Sequence, residues 1–214
     1  MDVEGWVLAG GRSLRMGRDK ARVKLAGRTL LEHMLGKLEA LGVRASVAGL
    51  REPVDEVAAR LLPDSHADTY PECGPLSGIE TALSKSEAAA VLVVGVDLPL
   101  LETEFLGWMV RRAQTTGAMA TIPRLLGEPQ PLCAVYRRDL LGGITEALES
   151  GDYKVMVAVE RASSSGAIDF FDTERLAATN PWRSRLATHW QFMNCNTPED
   201  LAVAEAVAAR TPIL

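Results

Sequence analysis

The residues best suited to chemistry lie in the stretch Leu8-Ala9-Gly10-Gly11-Arg12-Ser13-Leu14-Arg15-Met16-Gly17-Arg18-Asp19-Lys20. Three of its glycines fall within eight residues at the end of an apolar run. A glycine-rich turn at the end of a strand can present successive N–H groups to phosphate oxygens, since no Cβ blocks the approach. Charge supports an anionic guest: residues 12–28 hold seven basic side chains and one acid, a local +6 in a chain whose total is -5, leaving -11 elsewhere. That contrast focuses a field on a small polyanion and does not suit the broad basic surface that binds nucleic acid. Arg15 and Lys20 are candidates to neutralise such a polyanion, with Gly10 and Gly11 as backbone donors. A second candidate is Asp97, directly after Val-Leu-Val-Val-Gly-Val and two positions before Pro99. Magnesium prefers one or two carboxylates supplemented by substrate phosphates and water, so a single well-placed Asp is sufficient.

Other chemistries fit less well. A Walker loop needs four residues between its glycines and then Lys with Ser or Thr, whereas Gly11 and Gly17 enclose five and are followed by Arg18-Asp19-Lys20-Ala21. The dinucleotide pattern G-x-G-x-x-G is absent. Cys73, Cys133 and Cys195 are odd in number and far apart, which argues against a disulfide framework or a Cys-x-x-Cys metal site. His33, His66 and His189 lack metal-ligand spacing, so any metal should be a hard ion held by oxygen. The longest apolar runs, such as 88–94, fall far short of the roughly 20 residues that cross a bilayer. Met1-Asp2-Val3-Glu4 does not resemble the start of a signal peptide, so the expected location is cytoplasmic, with no membrane partner.

The elements that position these groups can be read from periodicity. At 214 residues, 47% hydrophobic and 24% charged, the chain suits one folded domain over 1–214. A strand over 3–8 leads into the glycine loop. A helix over 29–41 has apolar residues at helical spacing, with Thr29 at its cap and Gly42 at its end. A strand over 43–50 and a helix over 54–62 follow, then a loop over 63–75 and a helix over 76–83. The run 88–96 reads as a central strand covered on both faces. Further helices are expected over 104–114, 139–148 and 153–161, with strands over 118–122, 132–136 and 167–171. Residues 178–191 read as irregular, and a helix over 197–209 has Thr197 as cap and Pro198 first. This strand and helix order implies an α/β fold: a three-layer, Rossmann-like α/β/α domain with a mostly parallel sheet. Ligands would gather at the carboxyl ends of its strands, where Asp97 falls.

The opening stretch resembles the signature of nucleotidyltransferases that begin L-A-G-G and continue R-S-x-R-M-G-x-D-K, and within them the molybdenum cofactor guanylyltransferases, which belong to the MobA-like NTP transferases. Asp97-Leu98-Pro99 is similar to the family's D-x-P magnesium motif, and Gly74-Pro75-Leu76-Ser77-Gly78 to its G-P-L-x-G segment beside the base. The resemblance implies that Leu8, Ala9, Gly10, Gly11, Lys20, Asp64, Gly78 and Asp97 bind nucleotide, with Asp64 accepting from a guanine edge. It also implies that Arg15, Lys20 and Asp97 are catalytic and that Asp97 holds the metal. Asn194 and Asn196, in the closing N-x-N-T-P-E-x-L, would lie on the acceptor side or else cap the last helix. Lys154 would face the acceptor phosphate or else be an exposed lysine. Gly78 is either a site of close approach or a glycine that the helix tolerates.

The activity so implied is magnesium-dependent transfer of GMP from GTP to the phosphate of molybdopterin, with molybdoenzymes or their chaperones as recipients. One departure stands out. Ala48 occupies the place where relatives commonly carry an asparagine that touches the nucleotide. On the other side, family cytidylyltransferases tend to have alanine at the position of Gly10. A cytidylyl- or sugar-phosphate nucleotidyltransferase and a nucleotide-binding protein without turnover remain the alternatives.

Overall fold

The computed structural model describes residues 1–10, 20–50, 65–163, 166–179 and 181–211. The expected helix over 54–62 lies outside them, as do Gly11, Arg15 and Asp64. Among the described residues the strands are β1 (Val3–Leu8), β2 (Lys24–Leu25), β3 (Arg28–Thr29), β4 (Ala45–Ala48), β5 (Ser65–His66), β6 (Ala90–Gly95), β7 (Ala120–Leu125), β8 (Glu128–Pro129), β9 (Cys133–Arg137) and β10 (Ile168–Asp172). The helices, renumbered in chain order, are α1 (Leu30–Ala40), α2 (Pro75–Lys85), α3 (Thr103–Thr116), α4 (Leu141–Glu149), α5 (Val155–Ala162), α6 (Thr173–Ala177), α7 (Thr188–Gln191) and α8 (Pro198–Arg210).

The main sheet runs β10-β7-β9-β6-β1-β4-β5, with β8 paired to β7. β1 lies parallel between β4 and β6, while β10 runs parallel to β7. The sheet is mostly parallel, as expected, with β9 inserted antiparallel between β6 and β7 and β8 antiparallel to β7. Alternation along the strands separates two cores, as a sheet covered on both faces requires. Val7, Leu92 and Val94 meet α1, α3 and α8 on one side, and Trp6, Leu8, Val91 and Val93 meet α2, α4 and α5 on the other.

Local chemistry accounts for the boundaries. Thr29 and Thr197 cap α1 and α8 through reciprocal bonds with Glu32 and Asp200. Gly42, at φ 72°, ends α1 as expected. Three departures from the sequence reading have physical causes. Residues 63–75 are not all loop, because Ser65–His66 adds a short parallel edge strand to β4. The helix expected from 139 begins as a 3-10 turn, Arg138–Leu140, before α4. Within 178–191 the Thr188–Gln191 segment closes one helical turn. The β2–β3 hairpin also passed unread: Ala26 and Gly27 both have positive φ, the geometry of a tight hairpin, without the usual Asn-Gly signal.

Candidate active site

At the carboxyl ends of β1, β4 and β6 a cleft of about 370 Å³ opens, lined by Leu8, Gly10, Lys20, Ala48, Asp68 and Asp97, with Gly74, Gly78, Gly95 and Leu132 among the remaining wall residues. Its floor is fixed by the backbone. Ala9 N–H donates to the Ala48 carbonyl at 2.9 Å, and Val96 N–H to that of Leu8 at 3.1 Å. Gly49, at φ 82°, continues the chain from β4 against Gly10; a Cβ there would lie 2.7 Å from Gly10 Cα. Only glycine permits that approach.

Lys20 and Asp97 meet across one end of the cleft. The Lys20 ammonium is 2.9 Å from Asp97 Oδ2 and also donates to Asn196 Oδ1. The two side chains keep 24% and 17% of their surface exposed, so a ligand can reach both. Lys20 starts a 3-10 turn anchored by buried Ala21 and Val23. Asp97 follows the fully buried strand β6, and its carbonyl accepts from Cys195 N–H at 2.8 Å, which ties the 195–197 segment to the cleft. Asp200 in turn accepts from the N–H groups of Asn196 and Thr197, each at 2.9 Å. The Asn196 bond, followed by those from Thr197, holds its carboxyl below the usual range. Cys195 is buried beside them, and desolvation pushes its thiol up to about 12, so it stays protonated and unreactive at neutral pH.

A Cβ on Gly95 would lie 2.8 Å from Asp97 Oδ1. That position thus keeps clear the carboxylate oxygen not engaged by Lys20. No group of three or more His, Cys, Asp or Glu that could hold a metal occurs among the described residues.

At the other end stands Asp68, which the sequence reading passed over in favour of Asp64. Its carboxylate oxygens border Gly10 and Gly49, and a Cβ on Gly10 would come within 3.2 Å of Asp68 Oδ2. Its loop is docked on α2: Thr69 N–H donates to Thr81 Oγ1 at 3.1 Å and Tyr70 N–H to Ser77 Oγ at 3.2 Å. Ser77 and Thr81 are both buried, a polar stripe whose purpose becomes visible only with this loop in place. Glu80 lies beside it, where burial raises its carboxyl above the usual range, opposed by Thr69 and reinforced by Asp68.

The structure therefore brings Leu8, Gly10, Lys20, Gly78 and Asp97 together in one cleft, with Ala9 on its floor and Asn196 touching Lys20. Gly78 also allows close packing, since a Cβ there would lie 3.0 Å from Leu8 Cδ2. Ala48 lines the wall with no polar side-chain atom to offer. Lys154 instead precedes α5, and Asn194 is exposed; neither lines the cleft. Cys133, the first residue of β9, is buried in the core and does not line the cleft.

This strand order, with a glycine-lined cleft and a lysine-held aspartate at its carboxyl edge, is that of a nucleotidyltransferase. Residues 5–164 match the MobA-like NTP transferase domain, and the chain belongs to that family. It is similar to a probable molybdenum cofactor guanylyltransferase of Pelotomaculum thermopropionicum, 31% identical over 97% of this chain and 94% of the relative. A molybdenum cofactor guanylyltransferase of Xanthomonas euvesicatoria is 32% identical over 91% of this chain and 90% of its own. Among solved structures, molybdopterin-guanine dinucleotide biosynthesis protein A from Archaeoglobus fulgidus superposes with a TM-score of 0.79, at 25% identity, covering 99% of this chain and all of that one.

Proposed function

We propose that the chain transfers GMP from GTP to the terminal phosphate of molybdopterin, releasing pyrophosphate. What carries the reading is one cleft with a Lys20–Asp97 pair at one end and Asp68 at the other. A phosphate monoester is already anionic at neutral pH, so its oxygen can attack the α-phosphorus without a dedicated base. A new P–O bond forms as the bond to the β-phosphate bridging oxygen breaks, and pyrophosphate carries away the electron pair. The protein's task is to align two anions and stabilise the charge that develops.

Lys20 leaves its contacts with Asp97 and Asn196 to engage the phosphates, and Gly10 brings backbone close to them. Asp97 is the residue suited to hold magnesium, and the clear space that Gly95 leaves beside Oδ1 fits this role. The ion, when bound, offsets negative charge on phosphate oxygens. Asp68 is placed to accept from the N1–H and amino group of guanine, because a carboxylate complements those adjacent donors. Asp64, to which the resemblance gave that role, lies outside the described residues. Gly10 leaves the space in which the Asp68 carboxylate sits, and alanine there would crowd it. Asn196 is assigned to the acceptor side through its contact with Lys20.

The test is pyrophosphate release from GTP, magnesium and molybdopterin cofactor, compared with CTP. Turnover with GTP at least tenfold above CTP is expected. Turnover with CTP alone would overturn the base assignment, and none with any triphosphate would overturn the reaction.

A further inference from the structure

α2 buries two faces of unlike character. Leu76, Ile79, Ala82 and Leu83 join the apolar core, as one side of an amphipathic helix should. Ser77, Glu80, Thr81 and Ser84 follow the spacing i, i+3, i+4, i+7 and form a second, polar face. On that face Ser77 and Thr81 are fully buried and Glu80 is only 5% exposed. Thr81 Oγ1 accepts from Thr69 N–H and Ser77 Oγ from Tyr70 N–H, which fastens the 68–70 loop to the helix.

Glu80 is the group on this face that backbone docking does not explain. The Thr69 hydroxyl donates to its carboxyl, yet its Oε2 is buried with no hydrogen-bond partner among the described residues. An ionised carboxylate left so bare is costly, and Asp68 on the same loop adds like charge. Burial raises the Glu80 carboxyl above its usual range, with Thr69 and the exposed Lys85 opposing and Asp68 reinforcing. Of two neighbouring acids, the more deeply buried keeps its proton. The charge then rests on Asp68, which is half-buried against Gly10 and Gly49 at the cleft.

We propose that Glu80 is a positioning residue for base selection: fastened to Thr69 beneath the loop, it fixes where Asp68 stands against Gly10 and Gly49. The inference rests on the reading of Asp68 as the acceptor for the N1–H and amino group of guanine, and adds the group that supports it from behind. Glu80 does not itself line the cleft, so it acts through the loop and never touches the nucleotide. An uncharged support also spares Asp68 a repelling neighbour. Asp68 thus stays ionised, the state in which both of its oxygens accept.

The test compares Glu80→Leu and Glu80→Gln with the wild type in pyrophosphate release from GTP and from CTP, beside a thermal melt of each protein. Leucine fills the site without the bond to Thr69, and should raise KM for GTP about tenfold with kcat within about twofold, narrowing the preference for GTP over CTP. Glutamine keeps an uncharged acceptor for Thr69 and should restore the wild-type values. Thr69→Val removes the same bond from an exposed position of the loop and should reproduce the leucine result. Combined with Glu80→Leu it should add nothing further, because the two share one bond. A GTP preference unchanged in Thr69→Val or in a folded Glu80→Leu variant would overturn the inference, as would a Glu80→Gln variant impaired as far as the leucine one. A wild type without preference for GTP would overturn the base assignment of Asp68 and the inference with it.

Discussion

Two acid–base pairs of similar length occupy opposite regions of the sheet and behave as different objects. At the carboxyl edge of β6, Lys20 reaches Asp97 at 2.9 Å through a single donor and shares its ammonium with Asn196. At the far edge, Arg112 grips Asp169 with two parallel bonds of 2.7 and 2.8 Å, while its guanidinium lies 5.5 and 5.0 Å from the rings of Trp108 and Phe171. Exposure hardly separates them, at 24% and 17% for the first pair and 28% and 12% for the second. Connectivity does. A fork held from two sides and stacked between rings is fixed in geometry, whereas an ammonium with rotatable donors can exchange one oxygen for another. Distance alone would not tell a pair locked in one geometry from one whose donor can exchange partners.

Substitutions can break this contrast, and the largest effect belongs to Asp97. Asp97→Ala should reduce turnover by about a thousandfold or more, the scale of lost electrostatic stabilisation in a charged transition state, with little change in melting temperature. Steady-state pyrophosphate release and a thermal melt check both halves. Lys20→Met should cost about a hundredfold in kcat/KM while leaving the fold intact, again read by the same assay. Asp68→Asn should act on selection, lowering kcat/KM for GTP by about ten- to a hundredfold and narrowing the gap to other triphosphates in a competition assay.

The other pair should respond in the opposite sense. Asp169→Ala is expected to lower stability by about 1–3 kcal/mol, a few degrees in melting temperature, with kcat unaltered. A third cation gives the smallest effect. Lys37 on α1 is only 2% exposed, and burial, aided by Arg28, pushes its ammonium down to about 8 from an ordinary 10.5 despite the opposing pull of Glu102 and Glu104. Between those values the unfolded chain holds the proton more tightly, so wild-type stability should rise with pH across that window. Lys37→Met should stabilise by about 1–2 kcal/mol below pH 8, with the advantage fading toward pH 10.5, as a pH series of chemical denaturation would show.

The sequence carried the parts of the site that are local. Gly10, Lys20 and Asp97 are legible because a glycine turn after a strand and an acid after an apolar run announce themselves within a few residues. Both threonine caps are equally local, each bonding three positions onward. Asp68 escaped because the strand that delivers it, Ser65–His66, is two residues long and has no periodicity to detect. The docking of residues 69–70 onto Thr81 and Ser77, the insertion of β9 and the Arg112–Asp169 fork all join segments that share no local pattern.

The contact from Lys20 to Asn196 spans 176 positions of the chain. A nascent polypeptide emerging from its amino terminus can build the sheet and the wall of the cleft long before the partner amide has been synthesised. Such an incomplete product would keep a lysine-bound aspartate but lack the latch that steadies it. Loss of the tail from 196 onward, by nicking or premature termination, should therefore remove that contact together with the cover that Leu201, Ala204 and Val207 give the core.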